Sequence, residues 1–283
     1  MTDKLEHDYV LGHSEGEIRR LEWQGQLLAP GTERILRAAG LTQGMSVLDI
    51  GTGAGDVAML AAEIVGPSGS VLGIDQEASV LARARTRAEN SGLRHIHYEA
   101  ATLDSLSAVT AFDAVVGRFV LCLQPDRASF LRQAAAHLRP GGMLLFIEPG
   151  GVELNAPHER REVCWSNPPV ALYEDMVRHI FVAFTRGGAR EETGNNLVSL
   201  FHEAGLPEPT MLEETLLGGA ASPIIDWLCL TLETLLPSLE RHGTASAKTI
   251  EIGTLPARLR AAISESHSQV RFTSLTGGWA RVK

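Results

Sequence analysis

The chain has 283 residues, a net charge of −9, 44% hydrophobic residues and 21% charged residues. This is the composition of an ordinary globular protein, and its acidity disfavours nucleic acid as a partner, since phosphate contacts need clustered Lys and Arg. No apolar run approaches the ~20 residues of a membrane helix. The N-terminus lacks the apolar segment of a secretory signal, and the three cysteines include no C-x-x-C pair. We therefore expect a cytoplasmic protein with no metal, no membrane contact and no nucleic acid.

The first forty residues precede any strand pattern and predict two amphipathic helices. Ile18, Leu21 and Leu28 give the first helix its apolar side. Pro30 is expected to begin the second helix, because proline suits a first helical turn, and Gly40 is expected to close it.

A short apolar strand, Val47–Ile50, then gives way to glycines at positions 51, 53 and 55. A helical pattern starts at once at Val57. Glycines permit a sharp turn and let the backbone lie against a ligand, and the helix start behind them offers unpaired N–H groups. A turn without a ligand needs one glycine and seldom three in this register. The strand–turn–helix therefore predicts a nucleotide-like cofactor.

The glycine spacing separates two cofactor classes. A dinucleotide fold has G-x-G-x-x-G, and the last glycine of that pattern would fall where this chain has Asp56. The observed G-x-G-x-G, with Asp49 two residues before Gly51, resembles motif I of the class I S-adenosyl-L-methionine (SAM)-dependent methyltransferases. The resemblance implies SAM as the cofactor, with Asp49, Gly51, Gly53 and Gly55 at its site. A nicotinamide oxidoreductase and a SAM-binding protein without transferase activity are the alternatives.

The resemblance also implies a fold. It is α/β, a Rossmann-like seven-stranded sheet with helices on both faces. An N-terminal helical lid and helical caps inserted after the fifth and sixth strands complete it. The domain organisation expected is a lid over 1–40, a SAM-binding core over 41–150, a substrate cap over 151–195, and a C-terminal part of the core with inserted helices over 196–283.

The second strand ends in Asp75, followed by Gln76. A carboxylate at this place accepts hydrogen bonds from the 2′- and 3′-hydroxyls of a ribose, so both residues are placed in the cofactor site. The same acid occurs in NAD enzymes, so its presence indicates a ribose but does not distinguish SAM from NAD. An N-cap role for a helix over 77–90 is compatible with it.

Two later strands supply the rest of the expected cofactor site. After a third strand at 94–98, the family has an acid that accepts from the adenine amino group; this chain departs from it with Thr102, followed by Leu103. Adenine contact should therefore rely on a hydroxyl, the Leu103 N–H and apolar packing. The fourth strand ends in Gly117 and Arg118, which the resemblance places beside the methionine part of SAM. The turn L-R-P-G-G before the fifth strand is also typical of these methyltransferases.

The lid and the cap are expected to close over a small-molecule acceptor with an oxygen, nitrogen or carbon nucleophile. In the family, a tyrosine and a glutamine of the lid lie near the cofactor; here they are Tyr9 and Gln24, and a plain surface helix is the alternative. In the cap, the substrate-pocket candidates are Trp165, Tyr173 and His179. The helices of the C-terminal part complete the cap or form the face of a homodimer.

No catalytic motif is expected, because methyl transfer from a sulfonium needs mainly alignment and exclusion of water. The candidates for a general base are His13, Glu148, His158 and His179. For Glu148 the alternative is that it caps a helix or binds an N–H group. For the histidines it is an ordinary polar surface.

Overall fold

A computed structural model describes residues 15–106, 111–150 and 164–283. The chain divides into two compact units. The core unit consists of Leu21–Gly151, Glu192–Glu214 and Ser274–Lys283, and the helical unit consists of Met1–Arg20, Val152–Glu191 and Thr215–Thr273. Residues 21–38, expected in the lid, thus fall in the core unit, and much of the C-terminal part falls in the helical unit.

The strands form a single sheet. They are β1 (Ser46–Ile50), β2 (Ser70–Asp75), β3 (Ile96–Ala100), β4 (Phe112–Arg118), β5 (Leu138–Pro149), β6 (Trp165–Asn167), β7 (Thr210–Gly218) and β8 (Gln269–Arg281). Their order is β3-β2-β1-β4-β5-β8-β6, with β7 also paired to β8. Neighbours from β3 to β5 are parallel, and β8 runs antiparallel to β5 and β6.

Nine α-helices accompany the strands in the described ranges. They are α1 (Glu15–Ala38), α2 (Asp56–Val65), α3 (Ala78–Asn90), α4 (Arg127–Ala135), α5 (Ala171–Arg186), α6 (Leu197–Glu203), α7 (Ile224–Arg241), α8 (Ala247–Ile250) and α9 (Leu255–Glu265). Helices cover both faces of the sheet. Gly277 and Gly278 point to opposite faces, and a Cβ at the first would meet Ile35 of α1, whereas one at the second would meet Leu197 of α6.

The predicted α/β fold is confirmed, with one correction: within the described residues the sheet has eight strands, whereas seven were expected. The additional strand is β6, three residues that pair with the start of β8. β8 itself begins at Gln269 and ends at Arg281. The third strand also lies two residues later than the predicted 94–98.

The helix break predicted at Pro30 is wrong, because α1 continues through it. A proline inside a helix removes one hydrogen bond and costs ~3 kcal/mol. Leu28, Ile35 and Leu36 lie on one buried face of α1 and are at most 3% exposed. Burial of that face offsets the local cost, so packing decides the course of the chain here.

The helical unit has its own apolar core, in which α5, α7 and α9 pack together. The Trp227 ring meets the Phe272 ring edge-on at 5.0 Å between centroids, and Phe181 stacks on Phe272 at 6.3 Å. Among the described residues, no helix is long and apolar enough to cross a membrane.

Two buried tyrosines give a matched test of hydroxyl satisfaction. The Tyr173 hydroxyl donates to the Arg271 carbonyl at 2.8 Å, whereas the buried Tyr98 hydroxyl has no hydrogen-bond partner in the described part of the chain. Tyr173→Phe should lower the free energy of unfolding by about 0.5–1.5 kcal/mol, because the hydrogen bond between its hydroxyl and the Arg271 carbonyl is lost. Tyr98→Phe should leave it unchanged or raise it. Urea unfolding of both variants checks this, and equal losses would contradict it.

Candidate functional site

The loop between β1 and α2 has three glycines in the left-handed backbone region. Their φ angles are 61° at Gly51, 52° at Gly53 and 87° at Gly55. A Cβ would lie 2.5 Å from Val120 Cγ2 at Gly51 and 2.5 Å from the Tyr98 hydroxyl at Gly55. At Gly53 it would meet nothing within 4 Å. Packing therefore demands the outer two glycines, while the middle one presents bare backbone to open space.

Carboxylates occupy the positions around this loop where an anion would otherwise bind. Asp75 Oδ2 accepts from the Gly53 N–H at 3.0 Å, and its Oδ1 accepts from the Glu77 N–H at 3.0 Å. Asp56 is the first residue of α2, at the positive end of the helix dipole. Asp75 is not the N-cap of α3; that residue is Glu77, which accepts from the Ser79 N–H.

Asp49 supports the loop from inside the protein. Its side chain is buried, and its Oδ2 accepts from Thr52 Oγ1 at 2.6 Å. Burial raises the pKa of Asp49 to about 7, against the lowering effects of the Thr52 hydrogen bond and the nearby Arg118 charge. The carboxyl group thus fixes the residue between Gly51 and Gly53.

Arg118 joins the end of β4 to two helices. Its Nη1 donates to Thr32 Oγ1 of α1 at 2.9 Å, and its Nη2 lies 3.8 Å from Asp56 Oδ2. Asp56 is also held by Arg87, whose Nη2 lies 2.7 Å from Oδ1 and whose Nη1 donates to the Ala54 carbonyl at 2.6 Å. Burial lowers the pKa of Arg118, and the Asp56 and Asp49 charges oppose that shift. A network of buried and half-buried charges therefore lies against the start of α2.

Helix α1 lies directly against this network. A Cβ at Gly25 would be only 2.1 Å from Asp56 Oδ1, so the helix backbone touches the carboxylate. Gln24, expected near the cofactor, is buried on the same helix. Tyr9 and His13, also expected in the lid, lie outside the described residues, as does His158.

The chain leaves β4 through a constrained turn. Gly117 packs under Phe146, since a Cβ there would lie 2.8 Å from the phenyl Cε1. Phe119 has a φ of 58°, unusual for a residue with a side chain. A single 3₁₀ turn follows over Leu121–Leu123.

Glu148 lies behind this turn and is fully buried. Its carboxylate accepts from the N–H groups of Val120 at 3.2 Å, Leu121 at 2.9 Å and Cys122 at 2.9 Å. Burial raises the pKa of Glu148 to about 7, against the lowering effect of these donors. Both oxygens face backbone donors, which favours N–H binding over a role as general base.

The adenine and ribose candidates lie at the ends of neighbouring strands. Gln76 and Thr102 are exposed, and the Thr102 N–H donates to Ser105 Oγ at 2.9 Å. The Leu103 side chain belongs to the apolar core of the core unit, which leaves its backbone for any contact with a ligand.

The substrate-pocket candidates all belong to the helical unit. Trp165 is on β6 and half-buried, and so is His179 on α5. Tyr173 is completely buried, with its hydroxyl on the Arg271 carbonyl, and this favours a packing role for it. For Trp165 and His179, substrate contact stays a prediction.

Residues 41–205, more than half of the chain, match the family model of a methyltransferase domain. The chain belongs to the class I SAM-dependent methyltransferases. It is 28% identical over 254 residues to an arsenite methyltransferase of Aquipseudomonas alcaligenes, an alignment covering 83% of this chain and 67% of that protein. It is 32% identical over 155 residues to a ubiquinone/menaquinone biosynthesis C-methyltransferase of Hahella chejuensis, covering 52% of this chain and 61% of that protein.

The fold agrees with this assignment. A SAM-dependent methyltransferase of Geobacter sulfurreducens, solved in complex with S-adenosyl-L-homocysteine, superposes with a TM-score of 0.53. The match covers 90% of this chain and 91% of that one at 18% identity, so the likeness concerns the fold. SAM is the cofactor of the family.

The residues at the loop fit a cationic cofactor. SAM carries a sulfonium and an ammonium group, and the half-buried carboxylate of Asp75 is bound to the N–H of the middle glycine, which faces open space. Asp49 is buried inside the protein, and Asp56 is paired with Arg87 and Arg118. The diphosphate of a dinucleotide would meet the Asp75 charge at the Gly53 N–H group that could otherwise bind it. The residue that stands in place of the third dinucleotide-motif glycine, Asp56, has a structural role here, because its carboxylate binds Arg87 and lies near Arg118.

The sequence reading missed several members of the network. Arg87 binds Asp56, and Arg85 Nη2 donates to the Tyr98 carbonyl at 2.7 Å, although neither arginine was among the expected site residues. A glycine at position 25 inside an otherwise amphipathic helix was the available signal for a close approach.

The burial of Asp49 predicts a pH dependence of stability. The pKa of Asp49 is higher in the folded protein than in the unfolded chain, so the folded state favours the protonated carboxyl group. The stability gained from this protonation is fully present below about pH 4 and is lost as the pH rises to about 7. Relative to Asp49→Asn, the native free energy of unfolding should fall over this range by on the order of 4 kcal/mol at most. Urea unfolding of both proteins at several pH values measures the difference. Parallel curves for the two proteins would contradict the assignment.

Proposed function

We propose that this chain binds SAM along the loop from Gly51 to Gly55 and transfers its methyl group to a small-molecule acceptor. The observation that carries the proposal is the bare backbone of Gly53, which follows the carboxyl end of a central parallel strand and whose N–H donates to the Asp75 carboxylate. In open α/β sheets, ligands bind outside these strand ends.

Individual residues take distinct roles in this proposal. Asp75 is half-buried at the end of β2 and has lone pairs for ribose hydroxyls beyond those used by Gly53 and Glu77. Thr102 and the Leu103 backbone serve the adenine ring, and Gly117 lies at the methionine end. Arg118 contributes indirectly, because its guanidinium holds α1 and α2 in place.

When bound, SAM supplies a methyl group already activated by positive charge. The chain has to hold an acceptor within ~3–3.5 Å of that carbon, in line, and to exclude water. The lid over 1–40 and the cap over 151–195, with Trp165 and His179, are the segments proposed for this task. The homodimer and the cytoplasmic location stay predictions of the sequence.

An organic acceptor is favoured over arsenite, the substrate named for one relative. Trivalent arsenic is a soft centre that prefers thiolate ligands. Cys122 is buried beside Glu148, and Cys229 is buried with its pKa raised to about 12 by desolvation. Burial also raises the pKa of Cys164 well above its ordinary value. The thiols of Cys164 and Cys229 are therefore held protonated at neutral pH.

Binding at the loop is tested by Gly53→Leu, with Gly92→Leu as the matched control. Both glycines have positive φ, 52° and 70°, and a Cβ at either meets nothing within 4 Å, so the backbone strain is comparable. Gly53→Leu should abolish binding of S-adenosyl-L-homocysteine in calorimetry, because its side chain fills the proposed site. Gly92→Leu, at the end of α3, should bind like the native chain. Equal affinities in the two variants would refute the site.

The acceptor is tested by a methyl-transfer screen read by product mass. Phenols, amines, quinone precursors and polyketide-like compounds are offered with SAM, alongside arsenite, tRNA and a protein mixture. A product from an organic small molecule, absent with Gly53→Leu, is the expected result. Activity on tRNA or protein alone would overturn the acceptor class while leaving the cofactor site standing. SAM binding without any product would favour the alternative of a binding protein.

A further inference from the structure

We infer that Glu148 is a positioning residue of the methyl-transfer site, because its carboxylate sets the turn after β4 against the cofactor loop. Glu148 lies next to the end of β5 and pairs with Thr276 of β8, so its backbone is fixed within the sheet. A group on such a support has little freedom. The effect on cofactor binding rests on the proposed cofactor site, whereas the effect on the turn does not.

The carboxylate acts as a cap supplied by a neighbouring strand. The first N–H groups of a helical turn have no partner within the turn and need an outside acceptor. In the turn Leu121–Leu123, that need is met by Glu148 Oε1 and Oε2, which accept from three successive N–H groups. A neutral amide offers one acceptor oxygen and would turn its NH₂ group toward donors, so a carboxylate suits this place.

The turn also holds strained backbone. Phe119 adopts its positive φ of 58° while its N–H donates to the Ile147 carbonyl at 2.9 Å. Such a conformation costs of order 1–3 kcal/mol and persists only where neighbouring contacts fix it. Two adjacent residues of β5, Ile147 and Glu148, supply those contacts on either side of the strained residue.

The position of the turn reaches the cofactor loop through Val120. Its Cγ2 lies only 2.5 Å from the position that a Cβ at Gly51 would take, so the valine packs directly on the glycine backbone. If the N–H groups of Val120 and its neighbours lost their acceptor, the valine would be free to shift and the loop would lose its support on this side. Glu148 therefore acts on the cofactor through the turn and has no need to touch it.

The primary test is residue-specific amide hydrogen exchange of the full chain, native and Glu148→Gln. The amides of residues 120–122 should exchange about tenfold faster or more in the variant, since a charge-assisted acceptor is lost. The amide of Leu48 in β1 should not change. Glu214→Gln is the matched control: it removes a carboxylate that is bound to Arg34 at 2.7 Å, elsewhere in the core unit, and should leave all four amides unchanged.

The second readout is the affinity for S-adenosyl-L-homocysteine by calorimetry. Glu148→Gln should weaken binding about tenfold, and Glu148→Ala by more, while Glu214→Gln binds normally. Unchanged exchange at 120–122 would overturn the inference. So would an equal rise at Leu48, which indicates general destabilisation, or faster exchange at the turn with unaltered affinity.

Three further results keep the test decisive. Loss of methyl transfer with unaltered exchange and affinity would make Glu148 a general base and overturn the positioning role. If the variant does not fold, the inference is tested on the native chain alone. Its amides 120–122 should exchange about a hundredfold more slowly than in a free peptide, and rapid exchange would refute capping of the turn by Glu148. A native chain that failed to bind S-adenosyl-L-homocysteine would refute the proposed cofactor site. The exchange result would then test only whether Glu148 holds the turn after β4.

Discussion

Carboxylates that bind backbone N–H groups fix the geometry at the carboxyl ends of β1 and β4. Asp75 binds the Gly53 N–H of the cofactor loop, and Glu148 binds three N–H groups of the turn after β4. Both segments are short and contain residues with positive φ angles, and the segment after β4 forms a single 3₁₀ turn, so neither has the hydrogen-bond ladder of an α-helix or a sheet. Acceptors from adjacent strands replace those ladders. Because both acceptors come from the strands or their ends, the site inherits the rigidity of the sheet.

The same arrangement sets the electrostatics of the site. The Asp75 carboxylate at the glycine loop favours a cation, and the Asp56 charge is balanced by Arg87 and Arg118. A fold shared with dinucleotide-binding proteins acquires the opposite preference here, because the loop N–H group at Gly53 already binds the Asp75 carboxylate, which repels phosphate.

Local patterns were sufficient for the parallel half of the fold. Strands buried on both faces give continuous apolar runs, which is why β1, β2 and β4 could be predicted closely. β6 has three residues and no periodicity, and Pro30 carried a local signal that the burial of Leu28 and Ile35 outweighs. The charge network was inaccessible to sequence reasoning because its members come from α1, α2, α3 and β4. For Glu148, the sequence was compatible with two roles, an acceptor for N–H groups and a general base. The three short donor distances in the structure favour the first role.

The contact between Gly25 and Asp56 ties two distant positions of the sequence to each other. A side chain at position 25 has no room while an aspartate stands at position 56, and a smaller residue at 56 would leave Arg87 and Arg118 without their shared partner. Neither position can therefore change alone without loss. Among relatives we expect glycine at the first to occur together with an acid at the second, so that evolution replaces the pair as one unit.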